Sequence, residues 1–172
     1  RGQTLELTKA ALDQALWSKE MATPVMVGYE GLILEARVEI LSGTVGASGV
    51  GGIGLALGCS VPSSGPSREI FLAFSPGSVL LLDTNYAEVA SFAFAWEDSD
   101  PHTYRVLIDP VADNVVLTVD DTVVGSTPFT GFLQVARNPS GLFGAISDGV
   151  FEAVLHSQSV IPLRPVALAG AI

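Results

Sequence analysis

The chain has 172 residues, of which 48% are hydrophobic and 15% charged, enough apolar material for one substantial core and too little charge for a disordered chain. Eighteen glycines and ten prolines without a repeat period exclude collagen; set between short Val, Leu, Ile and Phe runs, they argue against a helical bundle. Eight basic against eighteen acidic residues give a formal charge of −10, which repels phosphate backbones and anionic lipid and argues against nucleic acid as a partner.

Residues 9–17 carry the one stretch of helical character. Thr8 can cap it, Leu12 and Leu16 stand four apart, and Ala10, Ala11, Gln14 and Ala15 are good helix formers, which predicts a short N-terminal helix. Beyond Pro24, strands are predicted at 25–28, 32–41, 53–59, 69–74, 79–83 and 91–96, then three within 102–127, then 132–137, 142–146 and 150–157. The run 102–127 is the clearest. Tyr104, Val106 and Ile108 alternate with Thr103, Arg105 and Asp109, and Val115, Leu117 and Val119 alternate with Thr118 and Asp120. Asp-Pro, Asp-Asn and Asp-Asp pairs mark turns between them, so the segment reads as a meander with one buried and one wet face.

Roughly a dozen short strands with no helices for crossovers predict an all-β fold, an antiparallel β-sandwich with at most one short helix. The expected core includes Val38, Ile40, Leu55, Phe94, Tyr104, Val106, Ile108, Leu117, Val119, Phe143 and Phe151. Residues 70–74 and 79–82 are apolar on both faces and need cover on both sides, from the same chain or from another. The chain reads as one domain, 1–172, with a core of 25–158 and an apolar tail, 159–172, that closes an edge or reaches a neighbouring subunit. A homo-oligomer or larger assembly would use those strands and that tail. Cys59 is alone, so neither an internal disulfide nor a cysteine zinc cluster can form. No apolar stretch approaches the ~20 residues of a membrane span, which predicts no membrane insertion. The chain starts at Arg1 rather than Met, which reads as a processed or excised segment.

The strand and turn pattern of LEARVEI at 34–40, GIGLALG at 52–58, HTYRV at 102–106, VVLTVDD at 115–121, GLFG at 141–144 and SDGVFE at 147–152 resembles the concanavalin A-like lectin/glucanase superfamily, laminin-G-like domains in particular. The resemblance spans about 25–158 and implies a jelly roll of two antiparallel sheets. It leaves open lectins, carbohydrate-binding modules, adhesion domains, glycosidases, lyases and structural proteins.

The superfamily's retaining glucanases carry Glu-x-Asp-x-Glu on a strand. Here Glu35 and Glu39 hold the outer places, but Arg37 stands where the central acid belongs. At about 3.3 Å per residue the two glutamates are some 13 Å apart along a strand, too far for either hydrolytic geometry. They read as a solvated strand face and not as a catalytic pair. Gly49-Val50-Gly51-Gly52-Ile53-Gly54 fits a dinucleotide motif literally but is not followed by a helix. His102 and His156 are 54 positions apart and form no zinc motif.

Two binding readings stand beside these. Glu97, Asp98 and Asp100 put three carboxylates on one loop, a set that calcium accepts, although acids in turns more often cap their own backbone. Phe92 and Phe94 are expected in the core, whereas Tyr86 and Trp96, beside polar loop residues, are the candidate contacts for a sugar face. These observations favour a non-enzymatic lectin-like module, extracellular or surface-associated, that binds a glycan or serves adhesion. A structural assembly protein such as a coat, decoration or fibre component ranks second, and a glycoside hydrolase or polysaccharide lyase third.

Overall fold

A computed structural model of the chain describes residues 5–9, 15–20, 31–43, 56–61, 67–75, 77–95, 100–135, 140–145 and 151–163. Thirteen strands lie among them: β1 (Leu5–Lys9), β2 (Ala15–Glu20), β3 (Gly31–Gly43), β4 (Ala56–Val61), β5 (Ser67–Ser75), β6 (Ser78–Leu82), β7 (Glu88–Ala93), β8 (His102–Asp109), β9 (Asn114–Val119), β10 (Thr122–Thr127), β11 (Gln134–Val135), β12 (Ser140–Ala145) and β13 (Phe151–Leu163). A 3-10 turn occupies Phe129–Gly131. One sheet runs β1-β13-β3-β8-β9-β10; the other runs β2-β12-β4-β5-β6-β7, with β11 paired to the start of β5. Among the described residues every strand pairing is antiparallel.

Period-two alternation builds the core. Leu32, Leu34, Ala36, Val38 and Ile40 of β3, Tyr104, Val106 and Ile108 of β8, and Val115, Leu117 and Val119 of β9 are buried in one cluster with Ile70, Leu72, Phe74, Val79 and Leu81 of the other sheet. Phe74 and Tyr104 meet edge to face, with ring centroids 5.0 Å apart, so one aromatic pair joins the two sheets. Phe92 and Phe94 pack against the same cluster, as their spacing predicts. Leu55 lies outside the described residues, as do the side chains of Phe143 and Phe151.

The meander is formed by β8, β9 and β10. Asp120 and Asp121 close its second turn with φ of 47° and 62°. Two consecutive positive-φ residues make the tight hairpin whose twist suits flanking strands, and Asp tolerates that conformation better than most residues.

The helix expected over 9–17 does not take in either end of that segment. Lys9 ends β1 opposite Phe151, while Ala15, Leu16 and Trp17 belong to β2 opposite Ala145, Gly144 and Phe143. Helix propensity is a weak prior, and pairing both flanks into the two sheets overrides it. Residues 10–14, and the strand expected at 25–28, lie outside the described residues. At the other end, the first part of β13 (151–155) lies between β1 and β3, and 157–163 continues along β3 to Leu163, so the start of the expected tail is strand; residues 164–172 lie outside the described residues.

Both faces of the β5–β6 ribbon are buried. Besides the core side, Phe71, Ala73, Leu80 and Leu82 form a second buried cluster on the outer side, against which Tyr86 packs. The cover that these doubly apolar strands need is supplied within one copy of the chain.

Candidate functional site

The outer face of the seven-stranded sheet ends at the loop between β6 and β7, and this loop is built around one buried carboxylate. Asp83 is 5% exposed. Its Oδ1 accepts the Asn85 N–H at 2.8 Å and the Ala87 N–H at 3.1 Å, while the Tyr86 N–H donates to the Asp83 carbonyl at 2.9 Å. The loop closes with a bond from the Asp83 N–H to the Ala87 carbonyl, 3.0 Å. Held this way, Tyr86 has φ of 59°, a left-handed conformation that costs a bulky residue about 1–2 kcal/mol. Its ring is thereby laid 5.2 Å from that of Phe71, tilted by 54°. Asn85, Ala87 and Glu88 around it are exposed, and Tyr86 itself is partly exposed.

A second buried acid supports the loop. Glu69, on β5 and 1% exposed, accepts the Thr84 hydroxyl at 2.5 Å, the length of a charge-assisted bond. Neither Glu69 nor Asp83 was singled out from sequence. The available signals were a lone acid inside a strand apolar on both faces, and an Asp-Thr-Asn turn between two strands.

Of the residues picked from sequence, Tyr86 lies in this loop. Trp96, Glu97 and Asp98 lie outside the described residues, and Asp100 is exposed at the entry to β8. Among the described residues no three His, Cys, Asp or Glu side chains stand together as a metal site. Asp109 caps its own turn, its Oδ1 accepting the Val111 and Ala112 N–H groups at 3.0 and 2.8 Å, whereas Asp113 reaches the 3-10 turn and accepts the N–H and hydroxyl of Thr130 at 2.8 and 3.0 Å.

Glu35 and Glu39 sit on the other sheet, on the face turned away from the core. Glu35 Oε2 accepts both Nε and Nη2 of Arg105 at 2.8 and 2.7 Å, and Arg105 also reaches Asp121 at 2.8 Å. These bonds, Glu35 first and Asp121 second, raise the Arg105 pKa above its ordinary value. Glu39 Oε2 lies 2.9 Å from Nε2 of His156, which stands at a register shift between Leu155 and Ser157. Each carboxylate therefore ties neighbouring strands: β3 to β8 through Glu35, β3 to β13 through Glu39. With half-exposed partners, such pairs contribute about 0–1 kcal/mol each.

His102 Nδ1 lies 2.6 Å from Asp120 Oδ2, and Asp120 Oδ1 accepts the Thr103 N–H at 2.9 Å. Burial by itself would raise the Asp120 pKa, but the Thr103 N–H, His102 and Arg37 outweigh it and hold the group below its ordinary value. A depressed carboxyl pKa stabilises the fold fully above the unfolded value, near pH 4, and that stabilisation is lost as pH falls through the lower folded-state value. Asp120→Asn should accordingly flatten the acid limb of a stability profile taken from about pH 4 to pH 2. An acid limb identical to the parent's would show that Asp120 contributes nothing to it.

No protein-family model and no curated protein matches the chain. Solved structures do. The apo Crh5 transglycosylase superposes with a TM-score of 0.58 at 13% identity, covering 94% of this chain and 72% of that one. The potassium-bound carbohydrate recognition domain of Emp46p gives 0.57 at 14% identity, covering 92% and 88%. An endo-1,3-beta-glucanase from Streptomyces sioyaensis gives 0.51 at 12% identity, covering 78% and 65%. The fold is that of the concanavalin A-like lectins and glucanases.

Proposed function

We propose that this concanavalin A-like domain is a carbohydrate-binding module, extracellular or surface-associated, that holds its ligand at the β6–β7 loop without cleaving it. The observation that carries the reading is Tyr86, held in a strained backbone conformation by the buried Asp83 and flanked by exposed Asn85 and Glu88. Strain of this kind persists where the surroundings over-determine it, and binding loops are a common place for it. A partly exposed aromatic face with amide and carboxylate groups beside it is the chemistry that stacks a sugar ring and orients its hydroxyls. The similar structures include a carbohydrate recognition domain alongside a glucanase and a transglycosylase. What supports binding over hydrolysis is the occupation of Glu35 and Glu39 by Arg105 and His156 on the opposite sheet.

A structural assembly role rests on low charge, the doubly apolar β5 and β6 strands and the apolar tail; the burial of those strands within one copy withdraws one of these three supports. The proposal is tested by applying the parent, Glu35→Gln and Glu39→Gln to a glycan array and then assaying the bound glycans for newly released reducing ends. All three proteins should bind alike and release none. Reducing ends produced by the parent and lost in either variant would make the chain a hydrolase.

A further inference from the structure

We propose that the outer face of the six-stranded sheet docks a basic protein segment that carries aliphatic side chains. The register aligns one aliphatic residue from each of four neighbouring strands: Ile161 of β13 opposite Ile33 of β3, Ile33 opposite Leu107 of β8, and Leu107 opposite Val116 of β9. Their sequence neighbours Leu32, Leu34, Val106, Ile108, Val115 and Leu117 are buried in the core, so alternation turns the four to the outside. Ile33, Leu107 and Val116 are partly exposed, and Ile161 is 42% exposed. Three strand spacings make the row about 14 Å long. On a wet sheet face single aliphatics are ordinary, but a continuous row is the surface that a partner buries.

Charge selects the occupant. One flank of the row carries Glu35 and Arg105, with Asp121 on the same guanidinium; the other flank carries Asp109 opposite Asn114. Among the described residues, Arg105 is already shared between Glu35 and Asp121, and Arg37 stands one step further along β3 between Glu35 and Glu39; set against Glu35, Glu39, Asp109 and Asp121 these two cations leave the face acidic, in a chain of formal charge −10. A second copy would bring like charge against like, and so would an anionic membrane surface. A segment alternating basic and aliphatic residues meets both the row and its flanks. A patch this small is below the ~800 Å² per partner of a stable complex, so the contact is transient and salt-sensitive.

The test titrates isotope-labelled full-length chain with a short peptide alternating lysine and leucine, and with its glutamate–leucine counterpart, while following methyl resonances. The lysine peptide should shift Ile33, Leu107, Val116 and Ile161. Ile33→Thr combined with Leu107→Thr should weaken it about tenfold or more, and the glutamate peptide should leave the spectrum unchanged. Threonine keeps strand propensity; if the double variant fails to fold, Val116→Thr alone should still weaken binding measurably. The proposal is overturned by shifts confined to other surfaces or by variants that bind as the parent does. It is equally overturned by sedimentation showing parent self-association that the variants abolish, since a second copy would then be the occupant.

Discussion

Ile108→Ala should lower the stability of the domain by about 2–5 kcal/mol, the sum of lost transfer energy and a residual cavity. Ile108 is fully buried, pairs with Leu32 on one side and Val115 on the other, and belongs to the cluster shared by both sheets. For a domain of this length that loss lowers the melting temperature by roughly 4–20 °C. Its sequence neighbour Leu107 faces outward and is partly exposed, so Leu107→Ala should cost about 1 kcal/mol or less. Thermal melts of the two variants side by side check the alternation; equal losses would mean that the inward face of β8 is wrongly assigned.

Gly31→Ala should also be damaging, by a smaller amount and for a different reason. Gly31 stands at the start of β3, opposite Leu163 of β13, where a Cβ would press against the Ile108 carbonyl oxygen and come within 3.2 Å of Leu163 Cδ1. The obstacle is backbone of the next strand, which cannot rotate away as a side chain can. Overpacking of this kind costs about 1–3 kcal/mol, and it should appear as a lower denaturation midpoint with an unchanged slope. A Gly31→Ala variant as stable as the parent would show that β3 and β8 separate there at no cost.

The parts of this molecule that were legible in the sequence share one property: their signal is local. Strand alternation in 102–127 gave the meander because both faces differ in polarity over every pair of residues. Doubly apolar runs at 70–74 and 79–82 announced strands covered on both sides, and those strands are buried on both sides. The two ends of 9–17 differ from expectation because helix formers report only a local preference, whereas these ends are fixed by partners more than a hundred residues away in β13 and β12.

The same logic divides the site. Tyr86 could be picked out as an aromatic residue among polar loop residues, but its left-handed backbone and its clamp depend on Asp83 folding back on the loop. The bond from Thr84 to Glu69 spans fifteen positions and follows only from the pairing of β5 with β6. Likewise, the sequence placed Arg37 between Glu35 and Glu39, while the structure gives Glu35 to Arg105, its partner across the strands, and Glu39 to His156. Spacing along one strand excludes a catalytic pair; only the register says what those carboxylates hold instead.

The central claim is that Tyr86, as Asp83 presents it, forms the carbohydrate contact. Its most direct test is a calorimetric titration of the best-bound glycan from the array into parent, Tyr86→Ala and Tyr86→Phe, all at matched melting behaviour. Stacking on the ring predicts that alanine weakens binding about tenfold or more, a loss of about 1.4 kcal/mol, while phenylalanine keeps most of it. An alanine variant that binds as tightly as the parent would contradict the account and move the site away from the β6–β7 loop.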